Sequence, residues 1–420
     1  MSPTRQTRPC ILIYSPLAGH GHLDSWNDMF ISLLLSAGWQ VLSLTPDGQP
    51  LYERLVAKGV AGLDRLQILT WRDVRPSIAE RLCLRIRRMM GRCMRRAGLG
   101  QKRPVMPDPE ARYLEPLDFA RGVRGALGES QWHPDFVLNM YMDLYRTDTG
   151  RWEKFQKSFK WPWAGIRFVP QPTPTEGYYG ISSCIGMCFL DDAVTARYRE
   201  LLPRKSFACI PDITDATLPD EPADLVKEIA ERAAGRKVIF LGGMIGGNKN
   251  LARWIELIAL ADPEQWFFLL VGEIDVNALT QADVRALGII EATPPENLLI
   301  YPQYLPDERV FNDVMRCSDV IFAVYRNFKI SSNMLGKAAA FEKPILVADN
   351  YLLGRRVGKY GIGRAVPEHD SRQMLAAAID LLNNPVPAEN FANYRADFSV
   401  DKMRETLIAF LDNRPGLKAG

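Results

Sequence analysis

Short unbroken apolar runs alternate along this chain with stretches whose apolar positions recur at helical spacing. In the second half, RKVIFLGGMIGGNKNL (Arg236 to Leu251) is an apolar strand that runs into a glycine-rich turn. An amphipathic helix follows over Leu251 to Ala261, with Leu251, Trp254, Ile255 and Ile258 on one face. WFFLLVGE (Trp266 to Glu273), NLLIYPQY (Asn297 to Tyr304), DVIFAVY (Asp319 to Tyr325) and PILVAD (Pro344 to Asp349) predict further strands. ERVFNDVMRCS (Glu308 to Ser318) and SSNMLGKAAAFE (Ser331 to Glu342) predict helices between them. Continuous apolar strands that alternate with helices mean a parallel sheet covered on both faces. The first half carries a similar unit. CILIYSPLAGHGHL (Cys10 to Leu23) is a strand entering a glycine and histidine loop, DSWNDMFISLLLSAG a helix closing on Gly38, and WQVLSLTPDG (Trp39 to Gly48) the next strand. DFVLNMY (Asp135 to Tyr141) and WAGIRFV (Trp163 to Val169) add two more.

A chain of 420 residues exceeds what one core usually supports, so two doubly wound α/β domains are expected. Their division falls in SFACIPDITDATLPDEPAD (Ser206 to Asp224), rich in proline and aspartate. The expected boundaries are 1–205 for the first domain, 206–235 for a linker, 236–395 for the second domain and 396–420 for a helical tail packing back toward the first.

Four glycines (Gly242, Gly243, Gly246 and Gly247) and then Lys249 stand where the strand gives way to a helix. Glycines let backbone N–H groups approach an anion, the helix N-terminus adds partial positive charge, and Lys249 supplies a full one. A nucleotide diphosphate is the natural guest of such a cradle, and a tight turn without a ligand is the other reading. The spacing is neither G-x-x-x-x-G-K-[ST], since Asn250 follows Lys249, nor G-x-G-x-x-G. Ligands of such sheets sit beyond the carboxyl ends of the strands, where Gly242 to Lys249 and Arg326 to Asn333 would both lie.

Taken with IPDITD at the junction, the strand ending in VGE, and AAAFEKPILVAD, these segments resemble a GT-B glycosyltransferase of two Rossmann-like domains facing across a cleft. The second half is similar to the large retaining, family-four-like group that includes sucrose-synthase-like and mannosyltransferase-like enzymes. The resemblance implies a nucleotide-sugar donor bound mainly by the second domain and an acceptor bound mainly by the first. It implies donor contacts at Gly242, Gly243, Gly246, Gly247, Lys249, Glu273, Arg326, Lys329, Ser331, Ser332, Asn333 and Lys337. Members of that family carry arginine where this chain has Gly243, and two glutamates where it has Lys329 and Lys337. Lysine donates and cannot accept from a ribose diol. Two readings follow: the added cations compensate at the diphosphate, aided by Arg326 before the helix start at Ser331 and Ser332, or the donor site has decayed.

GHGHL (Gly19 to Leu23) is the candidate site of the first domain. His22 matches the histidine that inverting plant-type glycosyltransferases use as general base, and His20 stands beside it; a histidine pKa near neutrality suits proton transfer. In a retaining mechanism this position would bind substrate instead. Gly19, Gly21 and Asp143 complete the expected acceptor side. A loop histidine that caps the following helix is the alternative.

The basic and acidic residues nearly balance, 52 against 49, yet nine cations fall within Arg81 to Arg103. Leu82, Ile86, Met89, Met90, Cys93 and Met94 form an apolar stripe there, ringed by arginines. Such a helix suits an anionic membrane surface, and the alternative is a core helix with a solvated basic face. No aromatics interleave with these arginines, so nucleic acid is not expected as a partner. Seven cysteines without paired spacing fit a reducing compartment, and Cys184 and Cys188 have no nearby histidines to complete a zinc site. No spanning run or secretion signal is present, so a cytoplasmic protein, peripheral on the membrane, is expected. The functional expectation is a glycosyltransferase using a nucleotide-diphosphate sugar as substrate, without cofactor or metal, in glycolipid, polysaccharide or glycosylated-metabolite synthesis. The alternative is a non-catalytic binding or partner subunit of the same fold.

Overall fold

Seven parallel strands form the first sheet and six the second. They are seen in a computed structural model that describes residues 9–18, 22–70 and 113–412. The chain divides into two units, one running to Ile210 and resuming at Arg404, the other Pro211–Met403. In the first, the elements are β1 (Cys10–Tyr14), α1 (His22–Ser36), β2 (Gln40–Thr45), α2 (Gly48–Ala57), β3 (Leu66–Thr70), α3 (Pro116–Glu129), β4 (Phe136–Asn139), α4 (Thr149–Ser158), β5 (Trp163–Arg167), β6 (Cys184–Phe189), α5 (Asp192–Leu201) and β7 (Ser206–Cys209). The second has α6 (Asp224–Ala233), β8 (Lys237–Gly242), α7 (Leu251–Leu260), β9 (Trp266–Val271), α8 (Gln281–Ala292), β10 (Leu298–Tyr301), α9 (Glu308–Arg316), β11 (Val320–Ala323), α10 (Met334–Ala340), β12 (Ile345–Ala348), α11 (Tyr351–Tyr360), β13 (Gly363–Val366), α12 (Ser371–Asn383) and α13 (Ala388–Asp397). A last helix, α14 (Val400–Asp412), runs across the boundary at Met403.

The strand orders are β3-β2-β1-β4-β5-β6-β7 and β10-β9-β8-β11-β12-β13. In each sheet the winding starts at an inner strand, runs one way, then returns to the other side. The reversal lies between β1 and β4 and between β8 and β11, which opens a crevice at their carboxyl ends. Burial on both faces explains why WFFLLV and CILIY are apolar throughout: every residue of both strands is buried.

Several expected elements change at their ends. The strand over Trp39 to Gly48 stops at Thr45, and Asp47 precedes a helix opening at Gly48. The helix expected from Ser331 begins at Met334, with Asn333 as its N-cap, and the Ser332 hydroxyl accepts from the Met334 amide at 3.3 Å. The linker expected over 206–235 is shorter: Ser206–Cys209 pairs with β6 as an edge strand, and Asp224–Ala233 is helical. Cys184 and Cys188 lie buried in β6. Trp163, Tyr178 and Tyr179, from the aromatic segment Trp161 to Gly180, join the first core, where Trp163 stacks on Trp152 at 5.4 Å. Among the described residues, no helix is long and apolar enough to cross a membrane. The basic segment 81–103, and Gly19, His20 and Gly21, lie outside the described residues.

Candidate functional site

Beyond β8 the backbone turns sharply at Gly243, whose φ of +90° favours glycine. Ile245 is buried and bridges to Ile274 after β9. A short 3-10 turn, Gly247–Lys249, follows, and Asn250 at φ 60° sets the start of α7. The β9 loop comes so close that a Cβ on Gly272 would stand 2.0 Å from Gly243 O. Among the described residues, the amides of Met244 and Gly246 have no intramolecular acceptor.

Lys249 is half-buried within this turn. Its ammonium donates to Gly242 O at 2.9 Å and to Tyr325 Oη at 2.9 Å, and lies 4.3 Å from the centre of the Tyr325 ring. A Cβ at Gly243 would stand 3.5 Å from this ammonium. The β8 and β11 loops are stitched further by Asn250, whose Nδ2 donates to Val324 O at 3.1 Å and Glu368 O at 2.6 Å. The switch point thus brings together Gly242, Gly243, Gly246, Gly247, Lys249, Tyr325 and Arg326.

Other expected donor residues are placed differently. Arg326 turns inward: its Nη2 donates to Gly247 O and pairs with the fully buried Asp283 at 3.0 Å. Burial pushes the Asp283 carboxyl up, but the Thr280 hydroxyl, the amides of Ala252 and Thr280 and the Arg326 guanidinium donate to it and hold it below the usual carboxylate range. Arg326 therefore anchors the cradle to α8 and is not the free cation the sequence suggested.

Lys337 is the larger correction. Its side chain is 1% exposed, and its ammonium donates to Glu308 Oε1 at 2.5 Å, Asp215 O at 3.3 Å and Asn312 Oδ1. All three protons are used within the protein, so this lysine ties α10 to α9 and to the chain at 215. Burial pulls its pKa below the usual lysine value, partly opposed by Glu308. Lys329 is exposed, with its ammonium 5.7 Å from the Tyr351 ring. The Ser331 hydroxyl accepts from Arg356 at 2.7 Å, and Asn333 O accepts from Thr214 at 3.2 Å. Glu273 is exposed beyond β9, and its carbonyl accepts from the Ile245 amide at 2.8 Å.

In the first unit, Met140 N donates to Tyr14 O at 3.0 Å, joining β1 and β4 beyond their ends, and the buried Asn139 caps the Tyr141 amide at 3.0 Å. His22 opens α1, and the structure places its backbone alone. Asp143 accepts the amides of Phe168 at 2.7 Å and Val169 at 3.0 Å, with Arg167 Nε 3.5 Å away. Burial pushes its pKa up against those donors. Asp143 thus fastens the β5 loop instead of standing free for a hydroxyl. Arg167 is in turn buried against Glu176 and Tyr178, a network that no sequence spacing signals.

Two doubly wound parallel units, each with a switch-point loop, define the GT-B fold. Comparison with solved structures returns that architecture along nearly the whole chain. The Anabaena protein HepE, solved with UDP and glucose, matches at TM-score 0.61 and 10% identity, over 96% of this chain and 100% of its own. A UDP-forming α,α-trehalose-phosphate synthase from Burkholderia vietnamiensis matches at TM-score 0.62 and 12% identity, over 96% and 99%. Sucrose-phosphate synthase from Thermosynechococcus elongatus matches at TM-score 0.60 and 12% identity, over 96% and 98%. No family model and no curated protein sequence matches the chain.

Proposed function

We propose that this chain is a glycosyltransferase that moves a hexose-type sugar from a nucleoside-diphosphate sugar to an acceptor, with retention at the anomeric carbon. The observation that carries the reading is the half-buried Lys249 at the β8–β11 switch point, in the same turn as the amides of Met244 and Gly246, which have no intramolecular acceptor among the described residues. In this reading the diphosphate lies over Gly243 to Gly247 and meets Lys249, with Glu273, Lys329, Ser332 and Asn333 as further polar groups of the donor half. Two solved proteins of the same fold support it, one holding UDP and glucose and one UDP-forming. The acceptor half is assigned to the segment between β1 and α1, with His20 and His22 to meet the acceptor hydroxyl and Gly19 and Gly21 beside them in sequence. The acceptor is taken to be presented from an anionic membrane surface by the segment 81–103.

One observation favours a second reading, a nucleotide-binding subunit without turnover: Lys337 is locked inside at a position where the resembled family carries an acceptor carboxylate. A thermal-shift panel of nucleoside diphosphates and their sugars tests both. A ligand at 100 times its Kd raises stability by about 2.7 kcal/mol. Stabilisation followed by diphosphate release is expected of the enzyme, and stabilisation without release of the subunit. No stabilisation by any member of the panel refutes both.

A further inference from the structure

Among the cations that line the carboxyl end of the second sheet, Lys249 is paired in an unusual way. Arg326 is matched to the carboxylate of Asp283, and Lys337 to that of Glu308. Lys249 meets only neutral acceptors, the Gly242 carbonyl and the Tyr325 hydroxyl, and no carboxylate pairs with it among the described residues. Its charge is thus fixed in place without being cancelled. Tyr325 is suited to fix it. The ring is 1% exposed and packs edge-on to Phe328 at 5.1 Å, so the hydroxyl has little freedom. The ring face also lies within cation–π range of the ammonium.

We infer that Tyr325 is a positioning residue for diphosphate recognition: it holds the Lys249 ammonium beside Gly243, so that one oriented cation serves where two flexible ones would otherwise be needed. This inference rests on the nucleotide-sugar reading above. A lysine side chain loses up to about 2 kcal/mol of rotamer freedom on being ordered, and a chain already held by a carbonyl, a hydroxyl and a ring face loses less when the anion arrives. Glycine at 243 is favoured by its φ of +90°, and the ammonium sits 3.5 Å from where a Cβ would be. A phenol does this work better than a carboxylate, which would neutralise the lysine, and better than phenylalanine, which lacks the acceptor.

The test is a double-mutant cycle on the full chain with Tyr325→Phe, Lys249→Met and the double variant. UDP, GDP and ADP are titrated calorimetrically, each beside its nucleoside. For whichever diphosphate binds the wild type, Tyr325→Phe should weaken affinity about tenfold, the low end for a hydrogen bond to a charged group, and leave nucleoside affinity unchanged. In the Lys249→Met background the same change should have no further effect on the diphosphate. Equal diphosphate affinity for wild type and Tyr325→Phe, or an undiminished effect without the lysine, overturns the inference while the nucleotide-sugar reading stands. Failure of the wild type to bind any of the three overturns that reading itself. A second readout needs no variant of Tyr325: in a 13C-lysine spectrum, the ε-methylene signal lost in Lys249→Met should be ring-current shifted and should move on adding the diphosphate. A signal at the ordinary lysine position overturns the inference.

Discussion

Replacing Lys337 by glutamate would restore the residue type of the resembled family, and the structure turns that restoration into a disruption. The lysine is 1% exposed, and its three neighbours are all acceptors: Glu308, Asn312 Oδ1 and the carbonyl of Asp215. In Lys337→Glu, the buried Asn312 Oδ1 loses its donor, at about 1–3 kcal/mol, while the Asp215 carbonyl keeps its bond from Asn312 Nδ2 at 3.2 Å. Two like charges about 4 Å apart cost about 4 kcal/mol at an effective dielectric near 20. Glu308 is 54% exposed, so solvent screening reduces that repulsion to roughly 1–2 kcal/mol. The total is about 2–5 kcal/mol, or a fall of roughly 2–4 °C in the melting of a unit this size for each kcal/mol lost. Lys337→Met removes the donor without adding the charge, and should cost about 1–3 kcal/mol. Urea unfolding followed by tryptophan fluorescence ranks the three: wild type, then Met, then Glu. The deficit of Lys337→Glu should shrink as pH falls through the carboxylate range, because a neutral carboxyl can donate to Asn312. A Lys337→Glu variant as stable as wild type, or more stable than Lys337→Met, refutes the placement of this side chain.

Three further outcomes are expected. Gly243→Arg, the other return toward the resembled family, should fail to strengthen diphosphate binding, because φ is +90° there and the new side chain would start 3.5 Å from the like-charged Lys249 ammonium; calorimetry should show weaker binding and a stability loss of about 1–2 kcal/mol. The Asp283 carboxyl is held below its usual range, so its contribution is present above the unfolded pKa of about 3.9 and is lost as pH falls through the lower folded value. The urea midpoint of Asp283→Asn should therefore fall less than that of wild type below about pH 4, and parallel acid limbs would refute the network. If the segment 81–103 binds a membrane, the protein should co-sediment with anionic liposomes at low salt and less so when Arg85, Arg88 and Arg92 become glutamine, each cation contributing about 1 kcal/mol near the surface; a folded protein that ignores such liposomes refutes the surface reading.

Five strands of the second sheet, β8 to β12, were legible in the sequence because they read as mostly apolar runs; the edge strand β13, GRAV, is short, mixed and half-buried, and was not. The outer strands of the first sheet were not. In CIGMCF a glycine interrupts the run, and the packing requires it, since a Cβ at Gly186 would stand 1.7 Å from Ser206 O. LQILT and SFAC are short and mixed, so periodicity gave no signal for β3 or β7. The glycine-rich turn and Lys249 were legible for a similar reason: their chemistry is local. The side chains that decide what each cation does were not, because they arrive from far along the chain. Lys337 meets Glu308 and Asn312 from 29 and 25 residues away and Asp215 from 122. Tyr325 reaches Lys249 across 76 residues, and Asp283 reaches Arg326 across 43. A lysine in a sequence is a charge; whether it is available depends on partners that only the fold supplies.

The glycines and the lysine of the cradle do not carry equal weight as signs of a ligand. Gly272 is required by the backbone of Gly243 standing 2.0 Å from its missing Cβ, and Gly247 by Ala278 O at 2.5 Å, so packing alone accounts for both. The fold would need these glycines with or without an anion. Lys249 has no such explanation. A lysine there merely to close the turn could have been matched by a carboxylate, as Lys337 and Arg326 are a short distance away in the same unit. Instead its charge is held by a carbonyl and a phenol that leave it uncancelled and half-buried, where an unmatched ammonium costs stability. An uncompensated, pre-oriented cation in the same turn as two amides without an intramolecular acceptor suits negative charge, the premise of the proposed diphosphate site, which is why the diphosphate titration of Tyr325→Phe and Lys249→Met is the decisive measurement for this chain.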